Sequence, residues 1–350
     1  MPRDSDEHGW LRPAAANDLR FLAVATIPLA PVDAVRITIL MDNMTDPLLF
    51  PSEGVDRTTW LHQLARARMT SAVTADGLPD ALIAEPGFSA LVRVATGGRE
   101  RTILFDAGVT PTGVVENMRR LELTPKGIET IVLSHGHWDH VAGMEGIAKE
   151  VGRASLPVLI HPEFWRRRRI AIPGLAPGEL PATSRSALEG AGFEIVEEQQ
   201  PSFLLDGSVL VTGEVDRTTP FETGFAGHEA HVHGSWEPDP LILDDQALVL
   251  RLAGPGLVVL TGCGHAGIVN VVRHAQRLTG ESQVAAVIGG FHLSGPMFEP
   301  IIEPTVAAFD EVQPALLMPA HCTGWRAVHR LAGRFPEAFV QSAVGTTVSI

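Results

Sequence analysis

The sequence predicts an α/β protein: one large layered domain. Three observations carry that reading. Strand-like and helix-like stretches alternate from Val35 to the C-terminus. Several of the strand-like stretches are unbroken apolar runs, as expected of strands buried on both faces. Four of these runs end in a glycine or small-residue turn that carries a histidine, namely His135, His265, His292 and His321. A chain of 350 residues is long for one average domain, but a two-sheet sandwich can hold it.

Residues 1–34 are rich in proline, alanine and charge and read as a partly ordered extension, which leaves residues 35–350 as the folded domain. In the first strand Ile37, Ile39 and Met41 alternate against Thr38 and Leu40 before the turn-forming pair Asp42-Asn43. An irregular stretch follows, with a short helical pattern through Trp60, Leu61 and Leu64. Ser89 to Ala95 and Thr102 to Phe105 read as strands joined by the hairpin signal Thr96-Gly97-Gly98-Arg99, and Asp106-Ala107-Gly108 closes the second. A helix from Gly113 to Leu121 precedes the strand Ile128 to Leu133. Next come a helix from Val141 to Val151 and a strand from Pro157 to Ile160 that ends at His161. The second half repeats the rhythm, with strands at Ser208 to Thr212, Ala247 to Leu252 and Leu257 to Leu260. A helix from Ile268 to Leu278 and strands at Val284 to Ile288 and Ala315 to Met318 complete it.

Apolar residues make up 45% of the chain and charged residues 19%, an ordinary globular balance. The formal charge of −14 argues against a nucleic-acid binder, which needs a basic face to displace counterions. No apolar run is long enough to span a bilayer. Two cysteines, Cys263 and Cys322, do not make a disulfide framework, so a reducing, cytoplasmic setting is expected. The expected partner is a small-molecule substrate, with neither nucleic acid nor membrane; homo-oligomerisation stays open.

The densest chemical signal is His135-Gly136-His137-Trp138-Asp139-His140, directly after the apolar run Ile131-Val132-Leu133. Four metal-ligand side chains within six residues suit Zn²⁺, and Fe or Mn as well. In a tight turn His135 and His137 can face one ion while Asp139 and His140 face a second. The other strand-end histidines join them if the strands end on one edge. The arginine run Arg166 to Arg169 reads either as a solvated helix face or as a phosphate anchor, in which Arg166 and Arg169 would contact substrate together with Asn43. His228, His231 and His233 fall in a stretch that reads as a solvent-exposed loop or lid.

The histidine motif resembles the signature of the metallo-β-lactamase superfamily. Leu104-Phe105-Asp106-Ala107-Gly108, Asp244-Asp245-Gln246-Ala247-Leu248 and Gly262-Cys263-Gly264-His265-Ala266-Gly267 are similar to one branch of it. So are Gly289-Gly290-Phe291-His292-Leu293 and Pro319-Ala320-His321-Cys322-Thr323-Gly324. That branch is named for dihydropterin ribofuranosylaminobenzene phosphate synthase. The resemblance implies an αββα sandwich, two mixed sheets flanked by helices, with two divalent metal ions at one edge. Zinc is the first expectation for those ions, with manganese or iron as alternatives. His135, His137 and His265 would hold one ion; Asp139, His140 and His321 would hold the other. Asp106 matches an aspartate that orients the ligands by accepting their hydrogen bonds. Where many relatives carry a bridging aspartate this chain has Cys263, which either ligates as a thiolate or packs while His265 reaches the metal. The branch often has a histidine where Pro86 stands, which puts the synthase substrate in doubt.

The implied activity is metal-dependent turnover of a small phosphorylated or ester-like molecule, with Asp139 also orienting water and His292 polarising the substrate. A synthase-like transfer and a generic hydrolysis (lactonase or phosphodiesterase) use the same constellation. A redox di-iron or non-catalytic protein is the reading from another class. Oxygen-reducing relatives carry a glutamate at the position of His137, which disfavours it.

Overall fold

A computed structural model describes residues 26–350 apart from 67, 153 and 154. The greater part of the expected N-terminal extension, residues 1–25, therefore lies outside the described residues. The remainder, residues 26–34, runs along the domain: Val32 donates its N–H to the Arg251 carbonyl at 2.8 Å, and Leu29 and Val32 are buried.

The protein is an αββα sandwich. One sheet has eight strands, with Ala34–Met41, Ser89–Thr96, Arg99–Phe105, Thr130–Val132, Leu156–Ile160 and Phe193–Glu197 side by side, and Thr347–Ser349 and Val55–Asp56 beyond the first. The other has six, in the order Ser202–Leu204, Val209–Val211, Ala247–Leu252, Gly256–Thr261, Val284–Gly290 and Leu316–Ala320.

Alternation along each strand explains the layering. Ile37, Val92, Val94, Ile103 and Phe105 point inward from the first sheet and meet Val209, Val211, Leu248, Leu250, Val258 and Leu260 of the second. Their neighbours Leu91, Leu104 and Ile131 point outward beneath Val114 and Met118 of the helix Gly113–Arg120 and Ile147 of the helix Met144–Val151. On the opposite flank Val249, Val259, Val287 and Leu317 lie under the helices Ile268–Thr279, Ile302–Val312 and Trp325–Arg334. Both faces of the central strands are thus covered along most of their length, so their sequences are apolar at most positions, half-buried arginines such as Arg93 and Arg251 excepted. Each such side chain contributes about 1.5–3 kcal/mol relative to exposure.

Strand direction sets where the site can be. Arg99–Phe105, Thr130–Val132, Leu156–Ile160 and Phe193–Glu197 are mutually parallel, and so are Gly256–Thr261, Val284–Gly290 and Leu316–Ala320. Thr261 pairs with Gly289, and Gly290 with Ala320, so three strands stop at one level. Their carboxyl ends deliver Cys263 and His265, His292, and His321 to one edge. In the other sheet Phe105 pairs with Val132, which places Asp106 beside the start of the histidine turn.

A third, four-stranded sheet flanks this edge: Gly178–Glu179, Arg168–Ile170, His228–Val232 and Ser235–Pro238. It corrects two expectations. The arginine run is no helix face; it leaves a short 3-10 turn, Pro162–Trp165, and enters a strand. His228 is not in an exposed loop but begins a strand and is buried.

Candidate metal centre

The strand Thr130–Val132 ends in a tight turn that presents His135, His137, Asp139 and His140 within one loop. Gly136 sits at its apex, where any Cβ would collide with the carbonyl oxygen of Phe164. The loop is clamped by a single segment of the second sheet. Asp244 accepts the Gly136 N–H at 2.8 Å, the Gln246 side chain donates to the Leu133 carbonyl at 3.0 Å, and the Gln246 N–H donates to the Ser134 carbonyl at 3.0 Å. Between them Asp245 accepts the Ala266 N–H at 2.9 Å, so the same three residues also hold the turn that carries His265.

His135 Nε2 and His137 Nδ1 lie 3.0 Å apart. The His265 ring is 4.7 Å from that of His135 and 4.9 Å from that of His137, and its Nε2 is buried with no hydrogen-bond partner among the described residues. On the other side His140 Nε2 is 3.8 Å from Asp139 Oδ2, and His321 Nε2 is 3.4 Å from the same oxygen. Cys263 lies between the two halves, its Sγ 3.2 Å from His140 Nε2. The structure therefore brings together His135, His137, Asp139, His140, Cys263, His265 and His321. His292 adjoins them, its ring 4.2 Å from that of His265 and its Nδ1 without a partner.

Asp106 organises the His140 side. It accepts the Ser134 N–H at 2.7 Å on one oxygen and the Ser134 hydroxyl at 2.8 Å on the other, and the latter oxygen is 2.7 Å from His140 Nδ1. With Nδ1 fixed on the carboxylate, Nε2 is the nitrogen aimed inward. Asp42 and Asn43 do the same for His321: Asp42 accepts its backbone N–H at 2.9 Å, and Asn43 donates to its carbonyl at 3.0 Å. Asn43 Oδ1 is 3.2 Å from His321 Nδ1. Asn43, expected at the substrate, is thus an exposed residue whose amide group is engaged with His321.

Asp106, His292 and His321 all adopt left-handed backbone conformations, with φ of 58°, 47° and 48°. Such conformations cost about 1–3 kcal/mol each in a residue with a side chain and gather at functional sites.

Burial and charge keep the imidazoles in two different states. Burial, reinforced by the Arg168 guanidinium, lowers His137 to about 3. Burial and neighbouring imidazoles hold His135 and His265 well below the usual histidine value. These rings are neutral, as metal ligation requires. For His140, burial also opposes the charge, but Asp106 and Asp139 outweigh it and raise the ring to about 9. Burial alone would raise Asp139; His140 and His321 pull it below the ordinary carboxylate range.

The arginines expected to anchor phosphate are already engaged. Arg166 pairs with Glu163 and with Asp239, the latter at 3.1 Å, and Arg169 pairs with Glu229 at 2.6 Å and stacks over Trp236. Arg168, which carried no expectation of its own, is the buried member of the run. It bonds Asp239 at 2.8 Å and Asp244 at 2.6 Å and so supports the carboxylate that clamps Gly136. His228 packs 5.4 Å from the His137 ring and 5.7 Å from that of His265, and burial lowers it to about 3. Neither role left a local signal: the Asp244–Arg168 pair joins distant segments, and His228 stands among glycines that read as a loop.

Comparison with known proteins follows this geometry. Residues 82–272 match the family model of the metallo-beta-lactamase superfamily. The 7,8-dihydropterin-6-methyl-4-(beta-D-ribofuranosyl)-aminobenzene-5'-phosphate synthase of Methanocaldococcus jannaschii is 30% identical over 266 residues, covering 75% of this chain and 89% of that protein. An uncharacterized protein of the same organism is 30% identical over 267 residues, covering 76% of this chain and 94% of its own. Among solved structures, a metal-dependent hydrolase of the beta-lactamase superfamily superposes with a TM-score of 0.65 at 22% identity, covering 90% of this chain and 99% of that one.

Proposed function

The chain belongs to the metallo-β-lactamase superfamily, and from that premise we propose that it is an enzyme with two divalent metal ions that turns over a small phosphorylated or ester-like substrate. The observation that carries this reading is the convergence of six donor side chains from separate strand ends on one edge. Their spacing fits the ions. Two nitrogens each about 2.0–2.1 Å from a tetrahedral zinc lie roughly 3.3 Å apart, close to the 3.0 Å between His135 and His137. The buried Nε2 of His265 supplies a further donor that no group among the described residues satisfies. His135, His137 and His265 would hold one ion; Asp139, His140 and His321 the other.

Bound ions of this kind supply hydroxide at neutral pH and polarise a carbonyl or phosphoryl oxygen. The rest is done by the chain itself. Asp106 keeps the proton of His140 on Nδ1, and Asp42 and Asn43 fix the His321 turn. Asp139, half-buried, sets its carboxylate between His140 and His321, where it can also orient a water. His292 presents an unpartnered nitrogen beside His265, where it can hold a substrate oxygen.

Two observations set this site apart from what the relative's synthase substrate would need and weigh towards an ester-like one. The Arg166 and Arg169 guanidinium groups are taken up by carboxylates rather than free for a phosphate. Pro86, where the branch often has a histidine, lies in a segment that touches the histidine turn, since Phe88 donates its N–H to the Asp139 carbonyl at 3.3 Å. The test is elemental analysis of the purified protein and of a His140→Ala variant, followed by assays on phosphate esters, lactones and pterin pyrophosphates. About two ions per chain, falling clearly in the variant, are expected. Failure to bind Zn, Mn or Fe would end the reading.

A further inference from the structure

We propose that Cys263 is a ligand shared by both metal positions, so that one thiolate sulfur bridges the centre. The inference rests on the two-ion reading above and adds to it the identity of the bridge. Among the described residues, three groups of side chains have donor atoms within 4.8 Å of one another: His135, Cys263 and His265; His140, Cys263 and His321; Cys263, His292 and Cys322. Cys263 is the one residue common to all three. The first group belongs to one half of the donor set and the second to the other half, so its sulfur is within reach of both.

The turn is shaped to put the sulfur there. Gly262 packs so tightly against Ser134 and Asp106 that a Cβ would overlap both, and Gly264 has a φ of 66°. These two residues draw the Cys263 backbone across from its own sheet to the histidine turn of the other. A nitrogen about 2.0–2.1 Å and a sulfur about 2.3 Å from one ion sit roughly 3.5 Å apart, and Cys263 Sγ is 3.2 Å from His140 Nε2. The second thiol is placed differently: Cys322 Sγ donates to the Cys263 carbonyl at 3.4 Å and reaches neither the His135 nor the His140 group. As the ions bind, the Cys263 thiol releases its proton to solvent. A soft sulfur at the shared position makes the centre favour zinc or cobalt over manganese.

The test is cobalt(II) titration of the metal-free protein and of Cys263→Ser, Cys263→Asp and Cys322→Ser. It is read by equilibrium metal content and by the near-ultraviolet sulfur-to-cobalt charge-transfer absorption. The wild type and Cys322→Ser are expected to bind both ions with this absorption. Cys263→Ser should lose the absorption and bind each ion at least about tenfold more weakly. Cys263→Asp should recover binding of both ions without the absorption, which separates loss of a ligand from loss of the fold. Three results, each with two ions bound to the wild type, would overturn the inference. These are no charge-transfer absorption, absorption that survives in Cys263→Ser and vanishes in Cys322→Ser, and a Cys263→Ser protein that surrenders one ion while holding the other at wild-type affinity. A wild type that takes up no cobalt would instead overturn the two-ion reading, and the bridge with it.

Discussion

Replacing Arg168 by methionine removes a guanidinium from the support of the histidine turn while keeping most of the side-chain stem. In the native protein Arg168 is 2% exposed and bonds both Asp239 and Asp244. The variant leaves Asp239 with Arg166 as a partner, but Asp244 with the Gly136 N–H alone. Breaking a buried pair from one side costs about 3–5 kcal/mol. Because one carboxylate keeps a cation, the loss should lie near the lower end, about 3 kcal/mol at neutral pH, out of a total of about 5–15 kcal/mol. The pH dependence carries a sign. Burial pushes Asp244 up, yet Arg168 and the Gly136 N–H hold it below the ordinary carboxylate value, so the stabilisation is present above about pH 4 and is lost as pH falls further. In the variant, burial is opposed by the Gly136 N–H but no longer by the guanidinium, so Asp244 titrates higher and protonation relieves the cost. Urea unfolding of the metal-free proteins should therefore show a gap that is widest near pH 7 and narrows towards about pH 4. A gap under about 1 kcal/mol at neutral pH, or one of equal size at both, would refute the reasoning.

Asp106→Ala frees the His140 ring from its carboxylate and should weaken metal binding about 10–100-fold in chelator competition; unchanged affinity would show that the 2.7 Å contact orients nothing. Because Asp106 and Asp139 raise His140 to about 9 in the metal-free protein, an incoming ion must displace a proton. Its apparent affinity should fall by up to about tenfold per pH unit below that value, and a flat profile in calorimetric titration would contradict this. Burial raises Asp245 from 3.8 to about 6. Its protonated form therefore stabilises the fold fully below pH 3.8, and that contribution is lost as pH rises through about 6. Asp245→Asn should remove most of this loss, worth roughly 2–3 kcal/mol, and a stability profile identical to that of the wild type would count against the assignment.

The central strands were legible because both of their faces are covered. Ala247 to Leu252 coincides with the observed strand, and Leu257 to Leu260 falls one residue short at either end. The helix Ile268–Thr279 was legible from its periodic apolar face and its glycine boundaries. By contrast, the helix Ile302–Val312 carries Pro304 in its first turn, and the small flanking sheet is made of strands two to five residues long, too brief to show a period. The same divide separates the parts of the site. Four donors crowd into one motif, and three more histidines stand at the ends of apolar runs, so local pattern reaches them. The Asp244–Arg168–Asp239 chain is set by contacts between distant segments, and neither arginine propensity nor spacing announces which of four neighbouring arginines will be buried.

The six donors are divided between the two sheets, and His321 follows one of the last strands of the chain. During synthesis the histidine turn emerges early with four of the six donors, yet the set is completed only when the residues after Leu316–Ala320 have left the ribosome and the two sheets have docked. On the proposed two-ion reading, metal acquisition by the full donor set follows the docking of the two sheets, and an ion once taken up would be a rivet through the sandwich that resists its opening along that edge.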